Sequence, residues 1–183
     1  MTVSSGGFEE AGRTNGTIEV DTGAESGDRA ERGSTPTAVT MVLRVRAPVC
    51  GSRTTVIDRL GRLRATGAIE EFDIRTWPDE VALSEATDGD PVVETFERFE
   101  RWAAAHDLSV RPAFDVRTVS SLIGREREVL TLPMMCLAVR EGDDLVGVFP
   151  CRDGERTWTI DDCLNAYEGD DEALAGLERV VTP

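Results

Sequence analysis

Between Met41 and Tyr167 the spacing of apolar side chains switches back and forth between a period of two and a period near 3.6. Met41, Leu43 and Val45 alternate with Val42, Arg44 and Arg46, which predicts a strand that Pro48 ends. Ser52 can cap a helix whose stripe is Val56, Leu60 and Leu63, with Gly67 as its stop. Phe72 and Ile74 alternate with Glu71, Asp73 and Arg75, a half-buried strand closed by Pro78. Asp90 followed by Pro91 reads as the cap and first residue of a second helix. Val92, Phe96, Phe99 and Ala103 form its apolar stripe, with Trp102 beside it. A third strand is expected around Val110, Phe114, Val116 and Thr118, and Val129–Val139 predicts a long central strand covered on both faces. Glu141-Gly142-Asp143-Asp144 turns the chain back through Leu145–Phe149, and Asp153-Gly154 turns it again. Thr159-Ile160-Asp161-Asp162 resembles a capping box, opening a helix that buries Ile160, Cys163, Leu164 and Tyr167.

The expected order is β-α-β-α-β-β-β-α, an α/β (α+β) fold with a single mixed sheet and a parallel first pair. Outside it, residues 1–38 are rich in Gly, Ser, Thr and acids and predict a disordered acidic leader. Residues 39–167 form the domain. Residues 168–183 read as an acidic tail in which Leu174, Leu177 and Val180-Val181 supply one short helical turn. No apolar run approaches eighteen residues, so no membrane span is expected. The first twenty residues hold no basic start followed by an apolar stretch, so neither is a secretory signal.

Charge changes this picture. All twenty cationic side chains are arginine, against 35 acids, for a formal charge of −15. Such a charge repels itself in dilute solution, and molar salt screens it once the Debye length falls to about 3 Å. The composition resembles proteins of salt-loving archaea, whose cytoplasm is saline, and a cytoplasmic setting is expected. There the four cysteines (Cys50, Cys136, Cys151, Cys163) should stay reduced. With no C-x-x-C pair and one histidine, His106, no metal site is expected, and no cofactor motif is present. Cys136 and Cys151 are expected on one face of the last hairpin, opposite Phe149 and Met134 respectively, and Cys163 in the core. Trp77 falls on the Glu71/Asp73/Arg75 face, where exposure is open to it.

Two constellations carry candidate chemistry. The first helix bears Arg53, Arg59, Arg62 and Arg64 against one acid, Asp58. These four are the expected nucleic-acid contacts, with Arg59 and Arg62 facing away from the apolar stripe; a solvated face paired with nearby carboxylates is the alternative. The segment Thr54–Leu63, continuing through Gly67-Ala68-Ile69, resembles the recognition helix and wing strand of winged-helix regulators. With Trp77-Pro78, Phe96–Trp102 and Leu132–Val139, the chain also resembles small haloarchaeal proteins that carry a helix-turn-helix label. That resemblance implies a non-enzymatic transcription regulator with DNA as partner. The second constellation is Cys50, between a strand end and a helix start, with Pro133 before a later strand. This layout resembles the thioredoxin and glutaredoxin fold, which implies a lone reactive thiol at Cys50 faced by a cis Pro133. A third expectation is an interaction module that meets another protein through a sheet edge or Trp77.

Overall fold

The computed structural model describes residues 38–84, 87, 89–120, 126–154 and 156–181. The leader expected over residues 1–38 lies outside these but for Ala38. Strand β1 (Val39–Arg46), helix α1 (Ser52–Thr66) and strand β2 (Glu71–Trp77) come first. β1 and β2 are parallel neighbours, with Leu43 opposite Ile74 and Arg44 opposite Arg75. There follow β3 (Glu80–Leu83), α2 (Pro91–Ala105), β4 (Asp115–Ser120), β5 (Glu126–Thr131), β6 (Met135–Glu141), β7 (Asp144–Phe149), β8 (Cys151–Asp153), β9 (Arg156–Trp158), α3 (Ile160–Tyr167) and α4 (Asp171–Val181). The α+β class matches the expectation. No helix among the described residues is long and apolar enough to cross a membrane.

The strands make three sheets rather than the single sheet expected: β2-β1-β6-β7, β3-β5-β4 and the hairpin β8-β9. Two prolines explain the division. A proline supplies no N–H to a ladder, so pairing cannot run through Pro78 or Pro133. The expected strand Val129–Val139 therefore breaks at Leu132-Pro133-Met134, its first half joining β3 and β4 and its second half joining β1 and β7. Both breaks fall side by side. Leu132 N donates to Asp79 O at 3.0 Å, Trp77 Nε1 donates to Pro133 O at 3.1 Å, and Arg46 N donates to Met134 O at 3.0 Å. β6 keeps the expected interior place in its sheet, and Cys136 through Val139 are all buried.

Most local signals act as read. Asp90 Oδ1 accepts from Val92 N at 2.7 Å, and Gly67 ends α1 with φ +78°. Thr159 and Asp162 form a reciprocal capping box. Ser52 is not a cap: Gly51 occupies that position at φ +60°, and no side chain caps α1. Trp77 is buried rather than exposed, because the end of β2 carries it against Phe114, ring edge to face at 5.6 Å. A bulge between Val139 and Arg140 shifts the hairpin, so Phe149 lies opposite Leu137, one residue from the expected Cys136. Cys151 leaves that hairpin for β8 and pairs with Trp158. The expected acidic tail is largely α4, which lies against α3 and buries Leu177.

Alternation assigns the two faces of the four-stranded sheet. Arg44 points to α2, where its guanidinium donates to Thr95 Oγ1. Met41, Leu43 and Val45 point the other way and are fully buried. The right-handed rule for β-α-β crossovers assigns α1 to that second face, and α1 packs on β2 with α3 beside it.

Candidate nucleic-acid interface

Helix α1 buries Val56, Leu60 and Leu63, as its stripe requires. At roughly 100° per residue, the outward ridge is then Thr54, Asp58, Gly61 and Ala65. Arg62 falls beside that ridge and Arg64 on the opposite side of the helix, nearer the stripe, and both are exposed. Neither makes an ion pair among the described residues. The helix thus offers solvent a narrow ridge with one guanidinium on either side. Gly61 at its centre has no atom within 4 Å of where a Cβ would stand, so nothing covers the ridge there.

The other two expected contacts are held within the protein. Arg53 folds back over the turn before α1, donating to Pro48 O and lying 3.9 Å from Cys50 Sγ. Arg59 sits on the flank nearest the stripe and reaches α3. Its Nε and Nη2 engage Glu168 Oε1 and Oε2 at 2.9 and 2.8 Å, a bidentate pair. Nη1 donates to Asp161 Oδ1 at 2.8 Å and Nη2 to Asn165 Oδ1 at 2.6 Å. With its side chain only 12% exposed, Arg59 is a clamp between α1 and α3. Its hydrogen bond and charge hold the Glu168 carboxyl below the usual carboxylate range. Asp161, Asn165 and Glu168 were legible as acceptors, since they recur at i, i+4 and i+7 along one helix face. What sequence alone lacked was the partner they face.

Two helices consecutive in the chain occur once among the described residues, as α3 and α4, joined through Gly169 at φ +96°. Their first turns carry Asp161 and Asp162, then Asp171 and Glu172. That charge repels phosphate. Preceding α1 there is a strand, β1, and no helix among the described residues.

The thiol candidate is partly assembled. Cys50 is an exposed free thiol just before α1, while Cys136, Cys151 and Cys163 are free and buried. Burial pushes the Cys151 thiol up to about 12 and raises Cys136 and Cys163 as well. The bond before Pro133 is not cis; among the described residues the cis X-Pro bonds precede Pro48, Pro112 and Pro150. His106 closes α2, its Nδ1 2.8 Å from Trp102 O, with its ring against Trp102.

A family model described as a helix-turn-helix domain matches residues 33–172. Comparison with curated proteins and with solved structures gives no match to either.

Proposed function

The chain belongs to this helix-turn-helix domain family, and from that premise we propose a non-enzymatic transcription regulator that meets DNA through the outward ridge of α1. The observation that carries this reading is the pair Arg62 and Arg64, exposed on opposite flanks of one helix in a chain of charge −15. A helix lying in the major groove has a phosphate strand on either side. Arg62 and Arg64 suit those strands, and Thr54 and Asp58 on the ridge suit base edges, where Asp accepts from cytosine N4. The Arg59 clamp supports the same reading by fixing the angle at which α1 is presented. The acidic α3–α4 pair does not suit the role of DNA-facing helices.

A saline cytoplasm is part of the proposal, because it accounts for the charge. Phosphate contacts weaken steeply with salt, so binding there rests more on base edges, or on two copies acting together. The test is selection of genomic fragments by the full chain in about 2 M KCl, where the Debye length is below about 3 Å, followed by anisotropy titration of those recovered. Enrichment of a common site that the double variant Arg62→Ala, Arg64→Ala no longer binds supports the reading. No enriched fragment, or equal binding by the double variant, overturns it.

A second reading rests on a different observation. The order β2-β1-β6-β7, with β1 parallel to β2 and antiparallel to β6, together with an exposed cysteine before α1, suits a thioredoxin-like thiol protein. Arg53 lies beside Cys50, with Nη1 3.9 Å from the thiol sulfur. Alkylation of Cys50 at neutral pH no faster than a model thiol removes this reading.

A further inference from the structure

The sheet face that meets α2 carries a pocket lined by four arginines. Arg44 and Arg75 stand opposite each other on β1 and β2, Arg140 comes from β6, and Arg98 from α2. Val42 and Phe99 supply an apolar floor, and the recess is small, with a cavity volume of about 70 Å³. Carboxylates outnumber guanidinium groups 35 to 20 in this chain, so four of the twenty converging on one recess runs against its composition.

The four are poorly neutralised. Only Arg75 has a carboxylate partner among the described residues, Asp73 at 2.9 Å, in an exposed pair of little value. Arg44 donates to Thr95 Oγ1 at 3.2 Å. Thr95 is buried and gives its own hydroxyl proton to Pro91 O at 2.7 Å, so it is fixed as an acceptor for Arg44. Arg140 donates to Asp143 O at 2.6 Å, and its Nε is buried without an acceptor. Arg98 is exposed and makes no ion pair among the described residues. Burial first, then the neighbouring charges of Arg75 and Arg98, lower the pKa of Arg44, yet a guanidinium stays charged in any ordinary buffer. Like charges gathered at a partly desolvated site destabilise the free protein unless an anion joins them.

We propose that this recess binds a phosphate group carried by a small molecule. Arginine side chains line the recess from two neighbouring strands, from β6 and from α2. That arrangement matches the tetrahedral oxygens of a phosphate, whereas a planar carboxylate engages one fork or two. The apolar floor suits the carbon part of the ligand. The recess lies across the sheet from α1, so the assignment stands apart from the DNA reading.

The full chain, in phosphate-free buffer at 0.2 and 2 M KCl, is titrated with inorganic phosphate and with pyrophosphate, and both heat and melting temperature are followed. Citrate serves as the polycarboxylate control. The expected result is saturable one-to-one binding with a rise in melting temperature. Arg98→Gln, an exposed change that leaves the core intact, weakens binding about tenfold or more, the loss of one charge-assisted contact. Arg127→Gln, an exposed change on β5 in the other sheet, leaves it unchanged. Arg44→Gln gives a second, larger loss if it folds, and Arg98→Gln decides the matter if it does not. Absence of saturation, equal affinity in Arg98→Gln, or citrate binding as tightly as pyrophosphate overturns the proposal. Displacement of pyrophosphate by duplex DNA also overturns it, by assigning the recess to nucleic-acid phosphates.

Discussion

Arg59 carries more of the structure than its place on a surface helix suggests. One guanidinium gathers two carboxylates and an amide, holding α1 against α3 and the turn that leads to α4. Such a clamp exceeds an isolated surface pair, because the geometry is bidentate and the arginine is largely covered. Arg59→Ala should lower the free energy of unfolding by about 1–2 kcal/mol near neutral pH, measured by urea titration. The pH dependence fixes the mechanism. The Glu168 carboxyl is depressed in the folded state, so its contribution is complete above the ordinary value of about 4.3 and fades as pH falls through the lower folded value. The gap between wild type and Arg59→Ala should therefore be wide at pH 7 and narrow below pH 4; a constant gap would assign the loss to packing. The thiols give a second residue-scale expectation. Cys50 alone is exposed, and the other three are buried with raised pKa values. A thiol reagent should label one cysteine rapidly in the native protein and all four after unfolding.

At the scale of elements, two glycines inside helices give opposite expectations for one substitution. Gly61 in α1 has open space where a Cβ would stand, so Gly61→Ala should stabilise by about 0.5–1 kcal/mol through helix propensity. In α4, a Cβ on Gly176 would stand 2.6 Å from the Trp158 ring, which is buried and covered by Arg156 at 3.5 Å. Overpacking there should outweigh propensity, and Gly176→Ala should destabilise by about 1–2 kcal/mol while α4 amides exchange faster. The same contrast shows what was legible from residues. Signals contained within a few positions were readable: the Asp90-Pro91 start, the Thr159–Asp162 box, the Gly67 stop and the alternation of β1. What failed depends on partners far along the chain. Val129–Val139 reads as one apolar strand because periodicity is blind to which sheet each half joins, although Pro133 was the clue to the break. α4 read as a turn in an acidic tail because its apolar residues are few, and their value comes from docking against α3. On the candidate interface, Arg62 and Arg64 were expected among four nucleic-acid contacts, and both are exposed. The pairing of Arg59 with particular carboxylates was not readable, because its acceptors lie more than a hundred residues later. The arginine recess went unread because its members come from four elements, each ordinary alone.

On the scale of the whole molecule, charge sets the terms under which any of these contacts operates. A formal charge of −15 on one chain disfavours compaction in dilute solution. Ions screen that repulsion over distances of about 10 Å at 0.1 M and 3 Å at 1 M. Unfolding midpoints should therefore climb steeply as KCl rises from 0.1 M and flatten near 1 M, where little repulsion is left to screen. Salt can stabilise by other routes, and pH separates them. At pH near the sequence pI of about 4.5 the net charge vanishes, so a gain that comes from screening must shrink there. A gain of equal size at pH 4.5 and pH 7.5 would assign it instead to salt acting on apolar surface. The recess between α2 and the sheet adds its own like-charge repulsion, which either salt or a bound anion relieves. Pyrophosphate should thus raise the midpoint most at low KCl, where the four guanidinium groups are least screened, and the two increments should fail to add when salt and ligand are combined. Additive increments would mean that the ligand and the salt act on unrelated parts of the molecule.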